Sequence, residues 1–200
     1  MKLNTKRTCL VGLAFLSISA FWGLYDFVIP LVLKNTYGLG DTWAGVVMAM
    51  DNVLALFLLP FFGALSDKTS TRIGRRMPFI VGGTAAAAIL MNLIPLLDDR
   101  YAASPSTGTL VLFIIVLGLL LVSMGTYRSP AVALMPDVTP KPLRSRANAI
   151  INLMGAVGGI LYLGLAAVLY PASKTKGVEH VSYRPLFFIV SMIMVVAVVV

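Results

Sequence analysis

Gly63-Ala64-Leu65-Ser66-Asp67-Lys68-Thr69-Ser70-Thr71-Arg72-Ile73-Gly74-Arg75-Arg76-Met77-Pro78-Phe79-Ile80 is a charged, turn-rich stretch between two long apolar runs. The ten residues from Asp67 to Arg76 hold one acid and four basic side chains, whereas Met77–Leu97 holds no charge at all. An abrupt switch of this kind marks the place where a chain leaves a hydrocarbon core, turns in water and re-enters. About 20 consecutive apolar residues are needed to cross a core ~30 Å thick. The composition of the whole chain agrees: of 200 residues, 58% are hydrophobic and 12% charged, with mean hydropathy +0.91. Soluble domains carry about 25% charged side chains. Lipid is the solvent such a chain requires.

Working outward from this loop, six apolar runs are read as spans: 8–33, 42–65, 77–97, 109–134, 147–170 and 185–200. In hydrocarbon each backbone amide must be bonded within its own segment, so the runs are helices and the fold class is all-α, a polytopic membrane bundle. Pro30, Pro60, Pro95 and Pro130 lie within or near the helix ends, where membrane bundles tolerate breaks. The first run is too long for the h-region of a signal peptide, which holds 7–15 residues. The last run, at 1.5 Å per residue, measures about 24 Å and ends without a polar anchor. The expectation is a chain cut in mid-helix, belonging to something longer.

The net charge is +8. Its clusters sit in loops rather than on one face, which argues for membrane sidedness and against a nucleic-acid partner. Lys2, Lys6, Arg7, Lys68, Arg72, Arg75, Arg76, Lys141, Arg144 and Arg146 fall on one side. Lys34, Arg100, Lys174, Lys176 and Arg184 fall on the other. Ten against five predicts a cytoplasmic N-terminus for a multi-pass protein of the cell membrane. With one cysteine, Cys9, and one histidine, His180, no disulfide framework, metal cluster, cofactor site or Ser–His or Cys–His pair is expected. The chain is not read as an enzyme.

Ionisable residues inside spans are functional candidates. Asp26, Asp51 and Arg128 qualify. Helical spacing puts Ser19, Trp22 and Asp26 on one stripe with Tyr25 beside it. An indole face with a carboxylate suits a sugar, packing on its C–H groups and accepting from its hydroxyls. Asp51 falls at a depth similar to Asp26, roughly 10–14 Å in, so the pair is placed to share a proton or hold a monovalent cation if their helices face each other. Arg128 falls some 10 Å lower, too far for an ion pair with Asp26, and suits a fork onto vicinal hydroxyls. Asn148 and Asn152 either line the cavity or join helices. Gly155 and Gly159, with Gly158 alongside, form a GxxxG pattern for close helix contact, and Gly82 to Ala88 is read the same way.

The opening loop, in the form G-x-L-x-D…G-R-R, resembles the signature loop of the major facilitator superfamily. Its long insert before Gly74 and its Pro-Phe-Ile exit resemble sucrose-type proton symporters and the related glycoside–pentoside–hexuronide cation symporters. So does the stretch Tyr127-Arg128…Pro136-Asp137…Arg144-Ser145-Arg146-Ala147-Asn148-Ala149. The resemblance implies a six-helix half, built as a 3+3 inverted repeat, of a twelve-helix secondary transporter. It implies uptake of a sugar or glycoside with a coupling cation, and a missing second half or second copy as partner. It assigns Gly63, Asp67, Arg72, Gly74, Arg75, Arg76 and Asp137 to a gating motif at the cytoplasmic face, in which Asp67 and Asp137 pair with the arginines. Melibiose-type members carry a carboxylate pair where this chain has Ala55 and Leu59, which directs coupling to a proton through Asp26 or Asp51. The competing expectation is a half-sized membrane protein that acts as a sensor, assembly partner or homodimer.

Overall fold

A computed structural model of the chain describes residues 4–175, 178 and 180–200, with the side chains of residues 172 and 174 left out. Lys2 and Lys176, and the side chain of Lys174, used in the charge count, therefore lie outside the described residues. The elements are α1 (Thr5–Asn35), α2 (Asp41–Lys68), α3 (Met77–Ala103), α4 (Thr107–Val138), a 3-10 turn at Lys141–Leu143, α5 (Arg144–Leu169), the one-turn α6 (Ala172–Thr175) and α7 (Arg184–Val199). Five of these helices are long and apolar enough to cross a membrane, and α7 is a shorter apolar helix. No strand occurs among the described residues.

The helices overrun the apolar runs. α3 continues past Leu97, so Asp98, Asp99 and Arg100 are helical rather than part of a loop. α4 continues past Leu134 and takes Asp137 into its last turns. Arg144 and Arg146 open α5 instead of filling the loop before it. Hydropathy marks where lipid ends, whereas backbone hydrogen bonding carries a helix on into the headgroups. Local chemistry sets the ends. The Asn4 side chain accepts from the Arg7 amide at 3.1 Å to cap α1. Pro78 sits in the first turn of α3, where its missing N–H costs nothing.

α1 lies chiefly against α5, α3 against α4 and α7, and α2 against α4. The buried core comes from α1, α3, α4 and α7: Phe21, Leu24, Ile29, Met91, Ile94, Phe113, Leu117, Leu120, Met124, Phe187 and Met194 are all at most 1% exposed. Met91, Met124 and Met194 are thus core residues. α2 buries only Ala44 and Ser66, and presents Leu56, Phe57 and Phe61 outward.

Close approach is decided by two glycines. A Cβ on Gly158 would overlap the main-chain carbonyl of Leu16, so α1 and α5 touch backbone to backbone there. A Cβ on Gly83 would lie 2.8 Å from the Tyr127 amide nitrogen, which joins α3 to α4 in the same way. Gly155 faces the Ser19 hydroxyl, while Gly159 and Gly82 face open space. The working pair on α5 is therefore Gly155 and Gly158, not the GxxxG pair Gly155 and Gly159. Successive helical positions differ by about 100°, so only one of two adjacent glycines can point at α1.

Candidate functional site

Two sites emerge, one halfway along the bundle and one at the end bearing the charged loop. In the first, α1 supplies Phe21, Trp22 and Tyr25 as an aromatic group. Trp22 stands edge-on to Phe21 at 5.2 Å and to Tyr25 at 5.4 Å. From α4, the Arg128 guanidinium lies over the Trp22 ring, its Cζ 5.5 Å from the centroid, within cation–π range. Gly125, one turn before Arg128, allows α4 to seat against Leu58 of α2. Trp22, Asp51 and Arg128 then line one recess with Leu54, Leu58 and Gly125. Its volume is about 20 Å³. A water needs about 10–15 Å³, so the recess takes one water or one hydroxyl, and a sugar ring would have to rest at its mouth.

Asp26 is exposed on α1. It lies close enough to Asp51 for the two charges to interact, and Tyr25 lies within reach of both. Asn52 donates to Asp51 Oδ1 at 2.9 Å. The indole N–H of Trp22 and the Tyr25 hydroxyl are buried without a hydrogen-bond partner among the described residues. Buried donors left unpaired are costly, and here both belong to the aromatic group beside the carboxylates. Asp26 and Arg128 form no ion pair among the described residues. Arg128 turns onto Trp22. Two neighbours are not brought in: Asn152 is exposed on α5 and does not line the recess. Tyr127 turns away, its buried hydroxyl 2.7 Å from Ser17 Oγ and donating to the Ala14 carbonyl at 3.2 Å, a link between α1 and α4.

At the loop end, Gly74 has φ +108°, a conformation that side chains resist. Its amide donates to the Thr71 carbonyl at 3.1 Å, and the Thr71 hydroxyl donates to the Gly74 carbonyl at 2.5 Å. This tight turn returns Arg76 to the bundle. The Arg76 guanidinium makes three contacts: to Asp137 at 2.6 Å, to Asp67 at 2.8 Å and to Ser66 Oγ at 3.2 Å. Its side chain is 11% exposed. The charge triad expected of the loop therefore forms, and Arg76 is the arginine that forms it. Arg72 and Arg75 are exposed and make no ion pair among the described residues. Gly63 lets α4 approach: a Cβ there would crowd Ser129 Oγ at 3.2 Å, and that hydroxyl donates to the Leu59 carbonyl at 2.7 Å.

With this geometry in view, comparison with known proteins is decisive for the family. Residues 11–200 match the Major Facilitator Superfamily. The chain belongs to the major facilitator superfamily. Curated superfamily relatives include Sucrose transport protein SUC3 of Arabidopsis thaliana, 32% identical over 79% of this chain and 30% of its own length. Sucrose transport protein SUC4 of the same plant is 31% identical over 68% of the chain and 29% of its length. Sucrose transport protein SUT3 of Oryza sativa subsp. indica is 30% identical over 68% and 30%. The chain spans about a third of the length of the superfamily relatives it matches.

Ser17, Ser66 and Ser129 join helices through hydroxyls whose partners residue order does not reveal. Ser17 and Ser129 sit in apolar runs and Ser66 at the head of the charged loop, and their partners lie on another helix or in the preceding turn. Ser66 and Ser129 lie within four residues of a glycine or proline, whereas Ser17 has no such local signal. Asp98 and Asp99 were passed over, hidden at the end of an apolar run.

Proposed function

We propose that this chain is the first six-helix bundle of a proton-coupled sugar or glycoside symporter, working by alternating access in the cell membrane with its N-terminus cytoplasmic. The observation that carries this reading is the convergence of Trp22, Asp51 and Arg128 on one recess at mid-bundle, next to Asp26. In the working reading, the pyranose C–H face rests on Trp22. Arg128 donates to a ring hydroxyl. Asp26 or Asp51 accepts another, and the unpaired donors of Trp22 and Tyr25 find acceptors on the sugar. Neighbouring carboxylates can hold one proton between them, which links sugar binding to the proton gradient. The exposed faces of α2 and α5 suit a second bundle, supplied by the rest of a longer chain or by a second copy. The family and its sucrose-transporting relatives support a carrier rather than an enzyme.

The Arg76 triad serves as the latch. Asp67 and Asp137 are 60% and 45% exposed, so their bonds to Arg76 can be broken and remade as the bundles rock. Such exchange biases a two-state equilibrium. Proteoliposomes carrying the complete gene product test the reading, with an inward proton gradient and a panel of glycosides. Saturable uptake that collapses with the gradient is the expected result, and Asp26→Asn should uncouple it. Uptake driven equally well without any gradient would remove the proton from the scheme.

A further inference from the structure

At the end of the bundle opposite the Arg76 triad, α3 and the segment before α7 hold a second polar cluster. Asp99 is bonded by three groups. His180 Nε2 lies 2.8 Å from Oδ1, Ser182 donates to Oδ2 at 2.9 Å, and Arg184 pairs with Oδ2. The neighbouring Asp98 is different. It is 0% exposed, and neither of its oxygens has a hydrogen-bond partner among the described residues. Its Oδ2 lies 3.8 Å from the same His180 Nε2, too long for a hydrogen bond. A buried carboxylate without a hydrogen-bond partner is expensive. Its field is felt nearby: burial first, then the charge of Asp98, hold the Tyr37 and Tyr183 phenols above their ordinary value.

We propose that Asp98, Asp99 and His180 form a binding site for a divalent transition-metal ion of the zinc class. One donor atom from each residue lies within 4.8 Å of the others. Metal–ligand bonds of about 2.0–2.2 Å put donor atoms about 3–3.5 Å apart. The observed 2.8 and 3.8 Å from His180 Nε2 to the two carboxylates bracket that spacing. The imidazole must give up its Nε2 proton to become a ligand. The Nδ1 position can take it, and faces Thr36 Oγ1 at 3.4 Å. Arg184 and Ser182 stay on the second oxygen of Asp99 and orient it, as outer groups do around metal ligands. One imidazole with carboxylates suits zinc or cobalt better than calcium or magnesium, which take oxygen donors. A recess of about 550 Å³ adjoins His180 and Thr36, giving an ion a route in and water as the remaining ligands. A bound ion would tie α3 to the segment before α7 and, through Thr36, to the end of α1.

The test uses the purified chain in detergent, free of any polyhistidine tag and of chelators. Cobalt(II) serves as the spectroscopic probe and zinc as the competitor. His180 is the chain's only histidine, so an imidazole–cobalt visible band has a single source. The expected result is one cobalt per chain, displaced by zinc and not by calcium or magnesium, with a raised thermal midpoint. Binding should weaken at least tenfold in His180→Asn and in Asp98→Asn, while Cys9→Ser retains it. Asp98→Asn removes a buried, unpaired charge and so is not expected to impair folding. No stoichiometric cobalt band on the wild-type chain overturns the proposal, a reading that needs no variant. So does wild-type affinity in both His180→Asn and Asp98→Asn.

Discussion

Adding one methyl group at Gly158 is expected to separate the two helices that share the largest interface in the bundle. A Cβ there would lie 2.8 Å from the carbonyl carbon and 2.9 Å from the Cα of Leu16, besides overlapping the carbonyl oxygen. Carbon atoms in contact sit about 3.5–4.0 Å apart, so α1 and α5 must part by at least about 0.7 Å. A radial gap of about 0.5–1 Å forfeits a quarter to a half of the dispersion attraction across the contact. The atoms in the way are main chain and cannot rotate aside, which puts the strain near the upper end of the overpacking range, about 3 kcal/mol. The better helix propensity of alanine returns about 1 kcal/mol. A net loss of about 2 kcal/mol corresponds to a fall of about 4–8 °C in Tm for a chain of this size. Gly159→Ala is the matched control. It faces open space, so only the propensity gain remains, a rise of about 1–4 °C. Thermal unfolding in detergent, read by a thiol-reactive dye at Cys9, the sole cysteine, measures both. If Gly159→Ala lowers Tm as far as Gly158→Ala does, α5 presents the other glycine to α1 and the described packing is wrong.

Further outcomes follow from the same geometry. Arg76→Ala removes three bonds from one guanidinium, two of them to half-exposed carboxylates. Because exposed pairs contribute little, denaturant unfolding should register a loss of about 2 kcal/mol, with Arg76→Lys intermediate; no change in either variant would deny the triad a structural role. Tyr127→Phe deletes the hydroxyl bonded to Ser17 and to the Ala14 carbonyl, and should cost about 1–2 kcal/mol in the same assay. Ser17→Ala in the Tyr127→Phe background should then add little, and additive losses would show that the two hydroxyls do not work together. Under the transport proposal, Arg128→Lys keeps the charge but loses the planar stack on Trp22, and kcat/KM for sugar should fall about tenfold or more. Wild-type kinetics in proteoliposomes would remove Arg128 from the sugar site. Asn152→Ala, on an exposed face away from the recess, should transport at wild-type rate, and a large loss there would place the sugar site nearer α5.

The all-helical class, the long apolar helices and the family motif could be read from residue order because each is a local matter. Hydrocarbon imposes its length on every crossing segment separately. A turn such as Thr71–Gly74 demands its glycine wherever the helices beside it end up. Asp26 and Asp51 could be put at one depth by counting, since a helix rises by the same amount at every residue.

Rotation about a helix axis is another matter. In lipid the outer face of a helix may be as apolar as its inner face, so pattern gives little hold on which side points inward. Only the folded chain decided that Gly158 rather than Gly159 meets α1, that Arg76 rather than Arg72 or Arg75 bridges Asp67 and Asp137, and that Tyr127 turns away from the recess while Arg128 turns in. It also brought Asp98 to His180, side chains more than eighty positions apart that no local rule connects. Each of these depends on how neighbouring helices lean together, and that is settled by close packing and by the need of buried polar groups for partners.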